Sequence, residues 1–407
     1  MHRNIFFCLL ILITIFGCSK KNPPSYPTWF TQKSPYVSRP GSHNAFDDYT
    51  LAASDAEKLG HKYLNRTLFT PGMKKHLINT LQEPLNQIEQ AKNKKSDFQF
   101  RALPPFQAAP YQKGWQLLGK TLCWKIELLV FNDELDDAIS LFLSTSKFGF
   151  DLTEGAAIDL SLGLTIVNTA RLAIIPGVHK MSKEQLSQLA GGIITILKNR
   201  PSIEKTLLHE QEQMMAAVQV VQDAIQKKDF SELRKQLGSS VNRGIKFINK
   251  KLLKKSYEKK IAYLNGFANE GKSDTNKLII QLKLPTIKRE KIEKSPKAYR
   301  PWKRFAMHFF SSAQTILPMN DRTVAKTRLL ALQALLQKEI KEHDQAPDNL
   351  DKFPGEVTLD PYSGQQFVYQ AGDLDFKIYS IGEDLRDDGG QTDETGTGPD
   401  LLLERVE

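Results

Sequence analysis

Residues 112–148 read QKGWQLLGKTLCWKIELLVFNDELDDAISLFLSTSKF. Two runs, 112–131 and 134–148, carry the apolar periodicity of a helix and flank the turn Phe131-Asn132-Asp133-Glu134. A connection this short makes the two helices antiparallel neighbours, and a helical hairpin in mid-chain sets the expectation for the rest.

Working outward, the same periodicity recurs. Asn44 can cap a helix running to Tyr63, with Phe46, Tyr49, Ala53, Ala56, Leu59 and Tyr63 three or four residues apart. Met73, Leu77, Leu81, Leu85 and Ile88 make a second stripe, with Pro84 as a kink. Residues 155–174 form an Ala/Leu/Ile-rich helix expected to end near Pro176. Ser182 with Gln185 reads as a capping box for 183–198, which stops at Pro201. Helices over 203–227 and 231–255 follow, and a last one over 322–342 carries Ala325, Leu329, Leu332, Leu336 and Ile340 on one face. Residues 254–301, with Pro285, Pro296 and Pro301, read as an irregular excursion. The hairpin is similar to a tetratricopeptide pair, but no period of about 34 residues recurs. The fold class is mostly α: an irregular helical bundle or solenoid, then a small α+β module with a short antiparallel sheet.

The 407 residues include 40% hydrophobic and 9% aromatic side chains, which excludes a disordered chain, and three cysteines, which exclude a disulfide scaffold. The net charge of +10 is a sum of unlike parts: +22 over residues 1–343 and −12 over 344–407. Residues 227–304 alone carry +16. Such a stretch reads as a solvated face, as a contact for anionic lipid or surface polymer near an anchor, or as a dock for the acidic tail of the same chain. Nucleic acid is disfavoured, because no binding motif accompanies the interleaved Phe247, Tyr257, Tyr263 and Tyr299.

Arg3 precedes an apolar run of 12 residues, Ile5 to Phe16, too short to span about 30 Å of hydrocarbon but sized for a secretory segment. It ends Ile15-Phe16-Gly17-Cys18. This resembles the lipobox of bacterial lipoproteins, with Phe16 where a small residue is usual. The resemblance implies a signal peptide over 1–17, cleavage before Cys18 and lipidation there by palmitate-type chains; stable anchoring needs more than one chain. The alternative is an ordinary or uncleaved signal segment. Ser19 in place of Asp points to the outer membrane over the inner. Residues 18–44, with Pro23-Pro24, Pro27, Pro35 and Pro40-Gly41-Ser42, read as the lipidated cysteine and a flexible tether. A helical domain over 45–318 and a C-terminal module over 319–407 complete the expected organisation. Cys8 leaves with the signal segment, and Cys123, in an apolar helical pattern, reads as a buried thiol.

After His343 the helical period vanishes. Short β-like runs appear at Phe367-Val368-Tyr369, Phe376-Lys377-Ile378-Tyr379 and Leu401-Leu402-Leu403. Between Glu383 and Asp400 lie Asp384, Asp387, Asp388, Asp393 and Glu394, interleaved with Gly389, Gly390, Gly396 and Gly398. Carboxylates and backbone carbonyls in a turning loop are the oxygen donors that Ca²⁺ takes, six to eight at a time. The ligand spacing of an EF-hand is absent. The other reading is a solvated acidic loop without metal.

The order of pieces over 322–403 is similar to the globular part of the type II secretion major pseudopilin. The pieces are an amphipathic helix, Asp360-Pro361-Tyr362-Ser363-Gly364, Ile378-Tyr379-Ser380-Ile381-Gly382-Glu383-Asp384, a Gly/Asp loop, and Asp400 before an apolar strand. The resemblance covers about a fifth of the chain. It implies a small antiparallel sheet and a Ca²⁺-binding loop, with Asp384 best matching one ligand and Asp400 or Asp393 a second. The lipobox and the long preceding region imply that this chain does not polymerise as a pseudopilus. The whole also resembles exported helical proteins of planctomycete-like bacteria that carry no assigned activity.

Other motifs fall short. Gly266-Phe267-Ala268-Asn269-Glu270-Gly271-Lys272-Ser273 fits the P-loop pattern without the buried strand it requires, and reads as a glycine turn. His209-Glu210 lacks a second histidine at 213. The expected function is therefore a membrane-anchored, non-enzymatic envelope scaffold or interaction protein with a Ca²⁺-stabilised tail. The alternatives are an accessory component of a type II secretion-like system and a cell-envelope hydrolase using carboxylates of the helical domain.

Overall fold

A computed structural model of the chain describes residues 43–98, 111–227, 229, 231, 256–290, 301–391 and 400–403. Cys18, the tether, Asp393 and nearly all of 231–255 lie outside these residues. The described elements are α1 Ala45–Leu59, α2 Pro71–Thr80, α3 Gln82–Gln90, α4 Gln112–Phe131, α5 Leu135–Leu152, α6 Ala157–Val178, α7 Lys183–Asn199, α8 Glu204–Lys227, α9 Tyr257–Leu282, α10 Pro301–His343, α11 Gly355–Thr358, β1 Val368–Ala371 and β2 Phe376–Tyr379. The protein is mostly α with a two-stranded antiparallel sheet, as expected.

Local chemistry explains the helix starts. The Asn44 side chain accepts the Phe46 N–H at 3.0 Å and donates to the Asp97 carbonyl at 2.9 Å, so the cap also pins the start of α1 to the far end of the α3 segment. Ser182 and Gln185 exchange the two bonds of a capping box, 3.2 and 3.0 Å. Asp159, at the third position of α6, bonds back to the Ala156 N–H at 3.1 Å.

The α4–α5 hairpin is the centre of the body. It packs on α6, which also touches α10, while α1 lies across α4 and α7 lies between α5 and α10. Among the described helices, α6 alone is long and apolar enough to cross a membrane (mean hydropathy 1.5), but 61% of that apolar window is buried inside the body. It is a core helix. Its close approach to α5 requires glycine on both sides: a Cβ on Gly149 would stand 2.6 Å from the Gly163 carbonyl oxygen.

Several expected boundaries move. The stripe from Met73 to Ile88 is two helices broken at Leu81, and Pro84 sits in the first turn of α3, where its missing N–H costs nothing. Helix α6 runs through Pro176 to Val178, with the proline inside its last turn. The excursion over 254–301 contains α9, 26 residues long, and the P-loop-like stretch lies inside it, so it is neither a phosphate loop nor a glycine turn. The last helix begins at Pro301, 21 residues before Arg322, and the expected division after residue 318 falls within it. Leu401 pairs with Ser380 as an isolated bridge rather than in a strand.

The hairpin registers Val368 opposite Tyr379 and Ala371 opposite Phe376. Its core is not separate. Val357, Tyr362, Phe367, Ile378 and Leu401 belong to the same buried cluster as Phe46, Trp115 and Leu164. The C-terminal module is thus packed onto the helical body.

Candidate metal centre

The module is held by one carboxylate. Asp360, 1% exposed, accepts the Tyr362 N–H (3.0 Å), the Ser380 hydroxyl (2.9 Å) and the Ile381 N–H (3.3 Å). This ties the Asp-Pro-Tyr turn to the Tyr-Ser-Ile-Gly segment, the two pieces that carry the pseudopilin resemblance. Ser380 and Leu401 then exchange backbone bonds of 3.0 and 2.9 Å, which brings Asp400 back beside the loop.

Asp400 is 1% exposed. Its Oδ2 accepts the Gly390 N–H (2.7 Å) and the Asp388 N–H (3.1 Å), while its Oδ1 is buried with no partner among the described residues. Burial pushes its carboxyl above the usual range, and the neighbouring charges of Asp387 and Asp388 push it further. Asp387 Oδ1 takes the Tyr379 hydroxyl (2.8 Å) and the Gly389 N–H (2.9 Å). Burial and that bond drive the Tyr379 phenol up to about 12. Positive φ at Gly389 (72°) and Gly390 (68°) folds the loop over Asp400.

Of the five sequence candidates, Asp387, Asp388 and Asp400 are therefore brought together. Asp384 spends an oxygen on the Arg386 N–H at 3.2 Å, at the start of the loop. Asp393 lies outside the described residues. Asp387 and Asp388 act on Asp400 through their charge, but the three carboxylates are not among the described ligand atoms that lie within 4.8 Å of one another; what the loop offers a hard cation is one buried carboxylate oxygen without a described partner, beside backbone carbonyls. One of those carbonyls, on Gly389, is taken by the Lys377 ammonium.

Sequence reading missed Glu339, Glu342 and His343, whose ligand atoms all lie within 4.8 Å of one another. Their spacing of three and four residues on one helix was the available signal. Glu339 pairs with Lys352 and lies 3.5 Å from the His343 ring, and Glu342 pairs with Lys338 (3.4 Å), so both carboxylates already have lysine partners at the surface.

The helical body gathers a second set of acids around the α5–α6 turn. Asp151 Oδ2 accepts from the Tyr49 hydroxyl (2.7 Å) and from Lys147 (2.5 Å). Glu154, 3% exposed, is held by the Phe98 N–H (3.0 Å) and Lys205. Asp159 is held by Gln112 (2.8 Å) and Ala156, and Glu210 caps the Ala157 N–H (2.8 Å). Each carboxylate is committed to a cap or a cross-link between helices. Cys123 is 1% exposed, and burial pushes its thiol far up, which fits an inert core residue.

Burial raises the Asp159 carboxyl from 3.8 to about 6. The folded state then binds the proton more tightly than the unfolded state, so this group's contribution falls as pH rises from about 4 to 6. Asp159→Asn keeps both bonds if the Gln112 amide turns over. Its stability relative to the native chain is expected to rise by about 2 kcal/mol between pH 4 and pH 7. Parallel urea titrations at the two pH values check this; a pH-independent difference refutes it.

No family model, no curated protein and no solved structure matches the chain.

Proposed function

We propose that the chain is an exported, membrane-anchored envelope lipoprotein that acts as a non-enzymatic scaffold or interaction protein, with a C-terminal module stabilised by Ca²⁺. The metal part rests on the orphaned Oδ1 of Asp400, buried under a loop that crowds Asp387 and Asp388 against it. Asp387, Asp388 and Asp400 would hold the ion, which would supply charge neutralisation and close the loop. The anchor part rests on Ile15-Phe16-Gly17-Cys18. The scaffold part is supported by the core shared from α1 to Leu401 and by the structural commitments of Asp151, Glu154 and Asp159. The basic stretch over 227–304 favours an anionic surface polymer or acidic envelope protein as partner.

The test has two arms. Millimolar Ca²⁺ is expected to raise Tm over a chelator control by about 3 °C or more, with the shift lost in Asp400→Asn. Equal melting in both conditions removes the metal. Labelled palmitate is expected to enter the native chain and not Cys18→Ala; an unlabelled native chain removes the lipid anchor.

A further inference from the structure

The acidic loop is gripped from both sides at one peptide bond. Lys377 and Tyr379 lie two residues apart on β2, so their side chains leave the same face of the strand, and both reach the loop. The Tyr379 hydroxyl donates to Asp387 at 2.8 Å, and the Lys377 ammonium donates to the Gly389 carbonyl. The N–H of that same peptide unit, on Gly390, donates to Asp400 Oδ2 at 2.7 Å. In a trans peptide the carbonyl and the N–H point in opposite directions. Lys377 and Asp400 therefore hold opposite edges of the Gly389–Gly390 peptide, a cation on its oxygen and an anion on its hydrogen.

The packing around this peptide is made for the lysine. A Cβ on Gly390 would stand 2.5 Å from Lys377 Cε, 3.0 Å from its Nζ and 2.8 Å from the Tyr379 ring, and φ there is 68°. Only glycine lets the lysine stem cross the loop at that point. The ammonium stands 5.5 Å from the centroid of the Tyr379 ring, which supports it from the strand side. Asp384, Asp387, Asp388 and Asp400 all belong to the same segment, yet among the described residues Lys377 makes no direct ion pair and donates to a neutral carbonyl. Its charge meets that of Asp400 through the peptide. Hydrogen bonds to ionised groups are about twice as strong as neutral ones, and a peptide polarised at both ends strengthens both of its bonds.

We propose that Lys377 and Asp400 form an ion pair relayed through the Gly389–Gly390 peptide, and that this pair latches the acidic loop closed over Asp400 before any metal arrives. Lys377 is then a positioning residue of the candidate metal centre, an assignment that rests on the Ca²⁺ reading of the loop; the latch itself does not depend on it. With the latch made, Oδ2 of Asp400 is taken by two loop N–H groups, and Oδ1 keeps its buried place without a described partner. A loop already closed has no ordering cost left to meet when a cation binds.

The latch is tested on the full chain in chelator. Lys377→Met keeps the length of the stem and its contact with Tyr379 but removes the charge. It is expected to speed amide hydrogen exchange over residues 387–391 by at least about tenfold, read by mass spectrometry, and to lower Tm. In an Asp400→Asn background the same substitution is expected to cost less than half as much in Tm, because the anion at the other end of the relay is gone. Unchanged exchange overturns the proposal, as does an equal cost in both backgrounds. If Lys377→Met fails to fold, Lys377→Gln keeps a donor for the carbonyl without the charge, and the same comparison decides. Calorimetry with Ca²⁺ then tests the positioning role by its sign. Removing a repelling cation would tighten Ca²⁺ binding, whereas losing the latch is expected to weaken it at least about threefold. Tighter or equal binding in Lys377→Met overturns the positioning role. A native chain that takes up no Ca²⁺ removes the metal reading and the positioning role with it, and the exchange and Tm results in chelator still decide the latch.

Discussion

Trp115→Ala is expected to lower the free energy of unfolding by about 3–5 kcal/mol. The side chain is 0% exposed at the crossing of α1 and α4. Its ring centroid lies 4.1 Å from that of Tyr111 and 6.1 Å from those of Phe46 and Phe98, so truncation opens a cavity lined by three aromatic rings. Its indole N–H donates to the Tyr49 carbonyl at 2.9 Å, a bond that ties the two helices and is lost as well. Trp115→Phe restores most of the volume without that bond and is expected to recover more than half of the loss. Urea unfolding followed by far-ultraviolet circular dichroism measures both. A cost under about 1 kcal/mol for the alanine variant would mean that the α1–α4 crossing does not hold the body together.

Gly163→Ala is expected to cost about 3 kcal/mol, although alanine is the better helix former by about 1 kcal/mol. The added methyl would fall within the van der Waals shell of the Gly149 carbonyl oxygen, and 3.0 Å from the Leu152 Cβ. Backbone, unlike a flexible side chain, cannot turn aside, so α5 and α6 must move apart along the most extensive contact among the described helices. Gly191→Ala is the control. It lies exposed within α7 with nothing within 4 Å of its Cβ position. The same substitution there is expected to stabilise by about 0.4–1 kcal/mol. The two changes therefore carry opposite signs, and equal signs would refute the close approach of α5 and α6.

Legibility followed from how local the determining physics was. The Asn44 cap, the Ser182–Gln185 box and the run Phe376–Tyr379 each depend on residues within a few positions, and each appears where the sequence places it. Pro301 was read as a breaker and is in fact a helix start, because the first turn has no use for the N–H that proline lacks. Helix α9 was hidden by lysines and by Gly266 and Gly271, whose propensity cost is outweighed by packing against α8 and α10. The acidic loop was visible because its carboxylates are consecutive, yet which of them converge depends on the Ser380–Leu401 pairing. The bond from Arg200 to Asn320 left no local trace, because it spans 120 residues of chain.

The sequence by itself determined the helical class, most helix starts, the acid-rich tail and the unequal halves behind the charge of +10. These rest on periodicity, caps and composition, which neighbouring residues settle among themselves. Tertiary structure decided that α10 runs unbroken into the C-terminal module, that Asp400 is buried with an oxygen no described residue answers, and that Asp321 on α10 is held by Arg289. Those outcomes depend on which distant groups are desolvated together, and desolvation belongs to the assembled core rather than to any one segment.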